Sequence, residues 1–212
     1  KDFVIGLFLK DENIATARAG SKKKAEEAAY AKAQKSAASL TKSRQSVFEQ
    51  LTKQVSKLLA SLGMPNASLT VDYKSAELST SGADNIELLF SANKGIAPSN
   101  LAKAASGGEF SRLMFAIKYI LADKTALPTI VFDEIDTGIS GEIALKMAEM
   151  MQEMATNHQV ITITHLPQIA AKCQAHYYVY KDESEATTSS QIKLLNQEER
   201  LTEIAQMIGG KH

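Results

Sequence analysis

"TIVFDEIDTG", Thr129 to Gly138, decides how the chain is read. Thr129, Ile130, Val131 and Phe132 form a short apolar or β-branched run with no polar alternation, which predicts a strand buried on both faces of a parallel sheet. Two carboxylates, Asp133 and Glu134, close the run, and a third, Asp136, follows two positions later. In an open α/β sheet the carboxyl ends of the strands form the ligand edge. Adjacent ionised acids repel each other, and burial raises that cost. A Mg²⁺ shared with substrate phosphates and water would let them coexist. On that reading Asp133 holds the metal, through water, and Glu134 orients or deprotonates an attacking water. The plainer alternative is a strand-end pair that caps the next helix.

Upstream lies "ASGGEFSRLMFAIK", Ala105 to Lys118. Phe110, Leu113, Met114, Ile117 and Ile120 share one side of a helix expected over 109–122. Ser106 and Glu109 stand three apart, as a capping box requires. The box leaves Gly107 and Gly108 unexplained. Two glycines at a helix start bare the backbone N–H groups beside the positive end of the dipole, a site suited to an anion. Downstream, "VITITHLPQIA" delivers His165 at the carboxyl end of a strand expected over 159–164, with Pro167 opening a short helix. A single histidine is more often structural, but this one falls on the same sheet edge as Asp133.

Ser21 to Leu62 reads as one long helix, rich in Ala, Lys, Glu and Gln, with no Pro and no internal Gly. Val47, Leu51, Val55, Leu58 and Leu59 mark a buried face, continued thinly by Ala25, Ala28, Ala29 and Ala33. A helix this long with so weak a stripe suggests one arm of an antiparallel coiled coil, stopped by Gly63 and Pro65. Residues 68–90 switch to period two and predict a β-hairpin around "STSGAD". Beyond Leu101 strands and helices alternate, the pattern of a parallel sheet flanked by helices. The expected domains are residues 1–20, unassigned but containing an apolar helix or strand; an arm helix over 21–62; and an α/β lobe over 63–212.

The 212 residues carry 24 basic and 24 acidic side chains, so no global charge argues for nucleic acid or membrane. Lys22, Lys23 and Lys24 could touch phosphates, although such runs are usually solvated helix faces. The single cysteine, Cys173, excludes an internal disulfide and fits a reducing cytosol. Phe3 to Leu9 is too short to span a bilayer, and Lys10, Asp11 and Glu12 interrupt it as a secretory signal.

The order is a serine-glycine-glycine helix, a strand ending Asp-Glu, an "IDTG" loop, then a strand ending in histidine. It resembles the second half of an ATP-binding-cassette ATPase, with signature, Walker B, D-loop and switch-histidine motifs. "LGMPNASLTVDY", "GADNIELLFSANKG", "LAKAASGGEFSRLMFAIK", "FDEIDTGISGEIA", "THLPQIA" and "ERLTEIAQMIGG" further resemble the carboxyl-terminal portion of the bacterial RecN family over 36–210. These are DNA-repair ATPases related to the structural-maintenance-of-chromosomes (SMC) proteins. The resemblance implies the carboxyl-terminal half of an ABC/SMC-type head, with ATP and Mg²⁺ as cofactors. DNA, a Walker A half of the same protein, and a second copy paired through ATP are the implied partners, and the nucleoid in the cytoplasm is the implied location. Ser106, Gly107 and Gly108 would meet nucleotide held by the opposing head, Asp136 would lie across the interface, and Glu134 and His165 would be catalytic. Arg112 would orient the signature helix or pair with an acid. The sequence contains no phosphate loop of the form G-x-x-x-x-G-K-S/T, so this stretch by itself is expected to be inactive. The competing expectations are a transporter's nucleotide-binding subunit and a non-catalytic coiled-coil module.

Overall fold

A computed structural model describes residues 2–9, 11–101, 107–122, 124–125, 127–182 and 189–209. Ser106, one of the expected nucleotide contacts, lies outside the described residues. The described elements are β1 (Phe3–Leu9), β2 (Glu12–Ala19), α1 (Lys22–Ser61), β3 (Ser68–Ser79), β4 (Gly82–Ser91) and β5 (Ser99–Asn100). Then come α2 (Gly107–Ala122), β6 (Thr129–Asp133), α3 (Gly141–Met154), β7 (Gln159–Ile163), α4 (Pro167–Lys172), β8 (Tyr177–Asp182), β9 (Ser189–Leu194) and α5 (Gln197–Gly209). Two compact units emerge: Lys1–Ser56 with Ala67–Ala104, and Lys57–Asn66 with Ala105–His212. That division does not follow a 62/63 boundary, because the β3–β4 strands belong with the long helix.

In the first unit the unassigned amino-terminal segment is an antiparallel hairpin, β1 on β2, with a bulge between Leu7 and Phe8. β3, β4 and β5 form an antiparallel sheet. On α1, Ala25, Ala29, Ala33 and Ala37 are buried at four-residue steps, while Ala28 and Val47 face solvent. The stripe thus follows one helical face. A stretch of alanine lets other backbone approach closely while burying little area. Farther along α1, the Thr41 hydroxyl donates to Asp84 Oδ1 at 2.6 Å and Arg44 to Oδ2 at 3.1 Å, pinning the β3–β4 turn to the helix.

In the second unit the last turns of α1 end in a Schellman motif. Met64 N–H bonds Leu59 O at 2.8 Å and Gly63 N–H bonds Ala60 O at 3.2 Å. Gly63 has φ +80, a conformation that favours glycine, and a Cβ there would also push on the tip of the Ile143 side chain. Leu62, Phe115, Ile130, Phe132, Ile135, Met147, Met151 and Ile169 lie in one core. β6 and β7 pair in parallel from Thr129↔Gln159 to Asp133↔Ile163, and β8 pairs antiparallel with β9.

The expectation of a strand buried on both faces is corrected here. Ile130 and Phe132 are in the core, but Val131 is 49% exposed, and on β7 Ile161 and Ile163 are 45% and 57% exposed. One face of the parallel pair is covered and the other is open. No alternation signals this in the sequence, because both faces carry apolar residues.

Candidate functional site at the end of the parallel strands

β6 is held from behind by α2. Phe115 packs on Phe132 with ring centroids 5.2 Å apart. Lys118 donates to the Val131 carbonyl at 3.3 Å and lies 5.3 Å above the Phe132 ring. This clamp fixes where the strand ends, and Asp133 and Glu134 emerge there, both exposed and without an ion pair among the described residues. Glu134 has φ +49, the only positive value at a described non-glycine residue. A left-handed glutamate costs energy and is kept where the surroundings impose it. It turns the chain sharply out of the strand, so the next residues fold back across the sheet end.

That turn places Ile135 and Ile139 in the core and carries Asp136 inward with them. Asp136 is 1% exposed. The carboxylate expected to face a second molecule is turned into its own domain, because the isoleucine on each side of it is anchored there. Its Oδ2 accepts from the Thr164 hydroxyl. The Thr164 oxygen in turn accepts the Leu166 N–H at 3.0 Å. Asp136 Oδ1 lies 3.7 Å from His165 Nδ1. His165 itself is 72% exposed at the end of the parallel pair.

The double glycine reaches the same place. Gly108, in the first turn of α2, is so close to the 134–138 turn that an added Cβ would meet the Thr137 carbonyl oxygen at 2.8 Å. Gly107 has open space around it. The glycine turn, the acid-bearing turn and the histidine strand therefore form one contiguous arrangement, Gly108 to Thr137, then Asp136 to Thr164 and His165. Arg112 pairs with no acid among the described residues, and its buried Nε has no hydrogen-bond partner there.

Thr164 and Thr137 were not singled out in the sequence, since a threonine at a strand end reads as ordinary β propensity. Arg200 on α5 was missed too. Its Nη2 reaches the carbonyl oxygens of Ala170 at 3.2 Å, Ala171 at 2.9 Å and Cys173, satisfying the carboxyl end of α4, the helix that follows His165. Next to it His176 is held below the ordinary imidazole value, by burial first and the Arg200 charge second. Burial likewise pushes the Cys173 thiol up, as suits a structural cysteine.

Among the described residues no three His, Cys, Asp or Glu cluster into a metal cage. The exposed Asp133 fits the other mode of Mg²⁺ binding, in which one or two carboxylates share the ion with substrate phosphates and water.

The fold is like that of part of the solved SMC head domains. The chain is similar to the Smc head domain with a coiled coil and joint from Pyrococcus yayanosii, at TM-score 0.59 and 23% identity over 87% of this chain and 35% of that one. It is also similar to a chain solved in work on ATP-driven dimerization and DNA-stimulated activation of SMC ATPases. There the TM-score is 0.51 and the identity 20%, over 81% of this chain and 99% of that one. No protein-family model matches. Among curated proteins the chain is 41% identical over 175 residues to DNA repair protein RecN of Rickettsia conorii, 82% of this chain and 32% of that protein. It is 38% identical over 193 residues to that of Deinococcus radiodurans, 91% and 34%. The Haemophilus influenzae protein of the same name is 36% identical over 187 residues, 87% and 34%. The chain belongs to the RecN family and corresponds to its carboxyl-terminal portion. It spans about a third of the length of the relatives it matches.

Proposed function

We propose that this chain is the carboxyl-terminal half of the head of an ATP-hydrolysing DNA-repair protein, contributing the signature turn, the Walker B acids and the switch histidine. The observation that carries the proposal is the contiguity of Gly108, Thr137, Asp136, Thr164 and His165 beside the exposed Asp133 and Glu134.

The chemistry follows from what each group can do. Glu134 is exposed and has no ion pair among the described residues, so it can accept a proton from, or orient, a water entering at the strand end. His165, just past the end of the paired strand, can donate a hydrogen bond to a phosphoryl oxygen once its outward nitrogen carries a proton. Gly107 and Gly108 offer backbone N–H groups at a helix start to the nucleotide of an opposing head, the same nucleotide that the family resemblance assigns to Ser106. Mg²⁺, held by Asp133 and the phosphates, would neutralise charge as it develops. The buried Asp136 carboxylate holds Thr164 and lies beside His165.

The partner half is the Walker A portion of the same protein, since the sequence lacks a phosphate loop. The open face of Val131, Ile161 and Ile163 supports this, because parallel pairs are ordinarily covered on both faces. β7 also pairs only with β6 among the described residues, leaving an edge for another strand. DNA as a partner is supported by the relatives' name. The exposed Lys22 to Lys24 run gives the simplest place for phosphate contacts, with the steep salt dependence that implies.

The test is nucleotide-dependent pairing. A protein in which this chain replaces the corresponding third of a RecN relative is sized by light scattering with and without ATP, alongside Ser106→Arg. The reading expects ATP-dependent dimers that Ser106→Arg abolishes while ATP binding persists. Pairing indifferent to ATP, or to the arginine, overturns the sandwich.

A further inference from the structure

The buried Asp136 has one satisfied oxygen and one that is not. Oδ2 takes the Thr164 hydroxyl, whereas Oδ1 is buried with no hydrogen-bond partner among the described residues and faces His165 Nδ1 across 3.7 Å. The flanking residues hold the backbone on either side of the imidazole. Thr164 is tied to the carboxylate by its side chain, and Leu166 is tied to Thr164 by its N–H at 3.0 Å. The residue between them is His165.

We propose that Asp136 is a positioning residue that selects the tautomer of His165, placing the proton on Nδ1 and leaving Nε2 as the lone-pair nitrogen at the exposed edge. A carboxylate can only accept, so for the 3.7 Å approach to close into a hydrogen bond the ring nitrogen it faces has to be the donor. A free neutral imidazole prefers its proton on Nε2, and a buried acceptor opposite Nδ1 reverses that preference. A proton taken up at Nε2 turns that same outward nitrogen from acceptor into donor. The buried acid thus gives His165 one defined acceptor-to-donor change at one atom, which a freely rotating exposed imidazole lacks. The mechanistic importance of this change rests on the ATPase reading above, but the tautomer itself does not.

The experiment is two-bond ¹H–¹⁵N correlation NMR of the histidine rings in this chain at about pH 8.5, above the ordinary imidazole range. His165 is assigned by its loss in His165→Gln. The inference expects the Nδ1–H pattern in the unsubstituted chain. Asp136→Asn should switch it to Nε2–H, because Thr164 keeps the amide oxygen and turns the amide nitrogen, a donor, toward Nδ1. A purely structural Asp136 would leave the tautomer unchanged. An Nε2–H ring in the unsubstituted chain overturns the inference even if Asp136→Asn does not fold. In the RecN-joined protein Asp136→Asn should lower kcat about tenfold or more with little change in KM. If that protein never hydrolyses ATP while the tautomer switches as expected, the ATPase reading fails and the tautomer assignment stands.

Discussion

Gly108 and Thr137 are in backbone contact. A Cβ on the glycine would lie 2.8 Å from the threonine carbonyl oxygen, a distance no side chain can hold without moving the 134–138 turn. Gly107, its immediate neighbour, has nothing within 4 Å of the same position. The pair makes an internal control. Gly108→Ala should destabilise the folded chain by ~1–3 kcal/mol, as overpacking against immovable backbone does. Gly107→Ala should stay within ~0.5 kcal/mol, the usual range of an open surface site. Denaturant titration of both variants checks this, and equal effects would mean that the two turns are not in contact.

Glu134 sits at φ +49, where a glycine would be at ease. Glu134→Gly is expected to stabilise the fold by ~1 kcal/mol, relieving left-handed strain at some entropic cost. The same change removes the proposed base. A melting temperature that rises as turnover disappears is the expected signature of strain kept for function. A destabilised Gly variant would show that the turn depends on the Glu134 side chain.

Arg200 holds the carboxyl end of α4 through the oxygens of Ala170, Ala171 and Cys173. Arg200→Ala leaves those carbonyls without their charged donor and should cost ~1–3 kcal/mol. Hydrogen exchange at 167–173 should accelerate first, ahead of β6. Arg200→Lys should recover only part of the loss, since one ammonium cannot reproduce the planar fork. Uniform exchange across the whole domain would argue against a local role.

Asp84 supplies a pH test in the other unit. Its side chain is closed off from solvent, and its carboxyl is held below the ordinary value, first by the Thr41 hydroxyl and, against the opposing cost of burial, also by Arg44 and Tyr73. A depressed folded-state value means stability that is complete above the ordinary carboxylate range and lost as pH falls through the lower folded value. Stability should therefore drop as pH goes below about 4. Asp84→Asn should flatten that decline while being less stable at pH 7. An unchanged acid limb in Asp84→Asn would place the sensitivity elsewhere.

The run of elements was readable because punctuation and period agree. Gly63 and Pro65 end the long helix, "STSGAD" marks a hairpin, and the helix expected over 109–122 and the strand expected over 159–164 lie within two residues of Gly107–Ala122 and Gln159–Ile163. The amino-terminal hairpin was not readable as such, since Phe3 to Leu9 is apolar without alternation and suits a helix as well as a strand. The open face of β6 and β7 was hidden because a face awaiting a partner carries the same residues as a covered one. At the site, types and spacing pointed to Asp133, Glu134 and His165. The inward turn of Asp136 depends on where Ile135 and Ile139 anchor, which only the three-dimensional packing reveals. The mediating Thr164 looked like any other strand threonine.

ATP turnover is the most direct measure of the whole account. The RecN-joined protein is compared with its Glu134→Gln variant at saturating ATP and Mg²⁺, with ATP binding measured alongside. The account predicts that Gln leaves binding intact, lowers kcat by about 100-fold or more and accumulates ATP-bound dimers. Turnover in Glu134→Gln equal to that of the unsubstituted protein would contradict it.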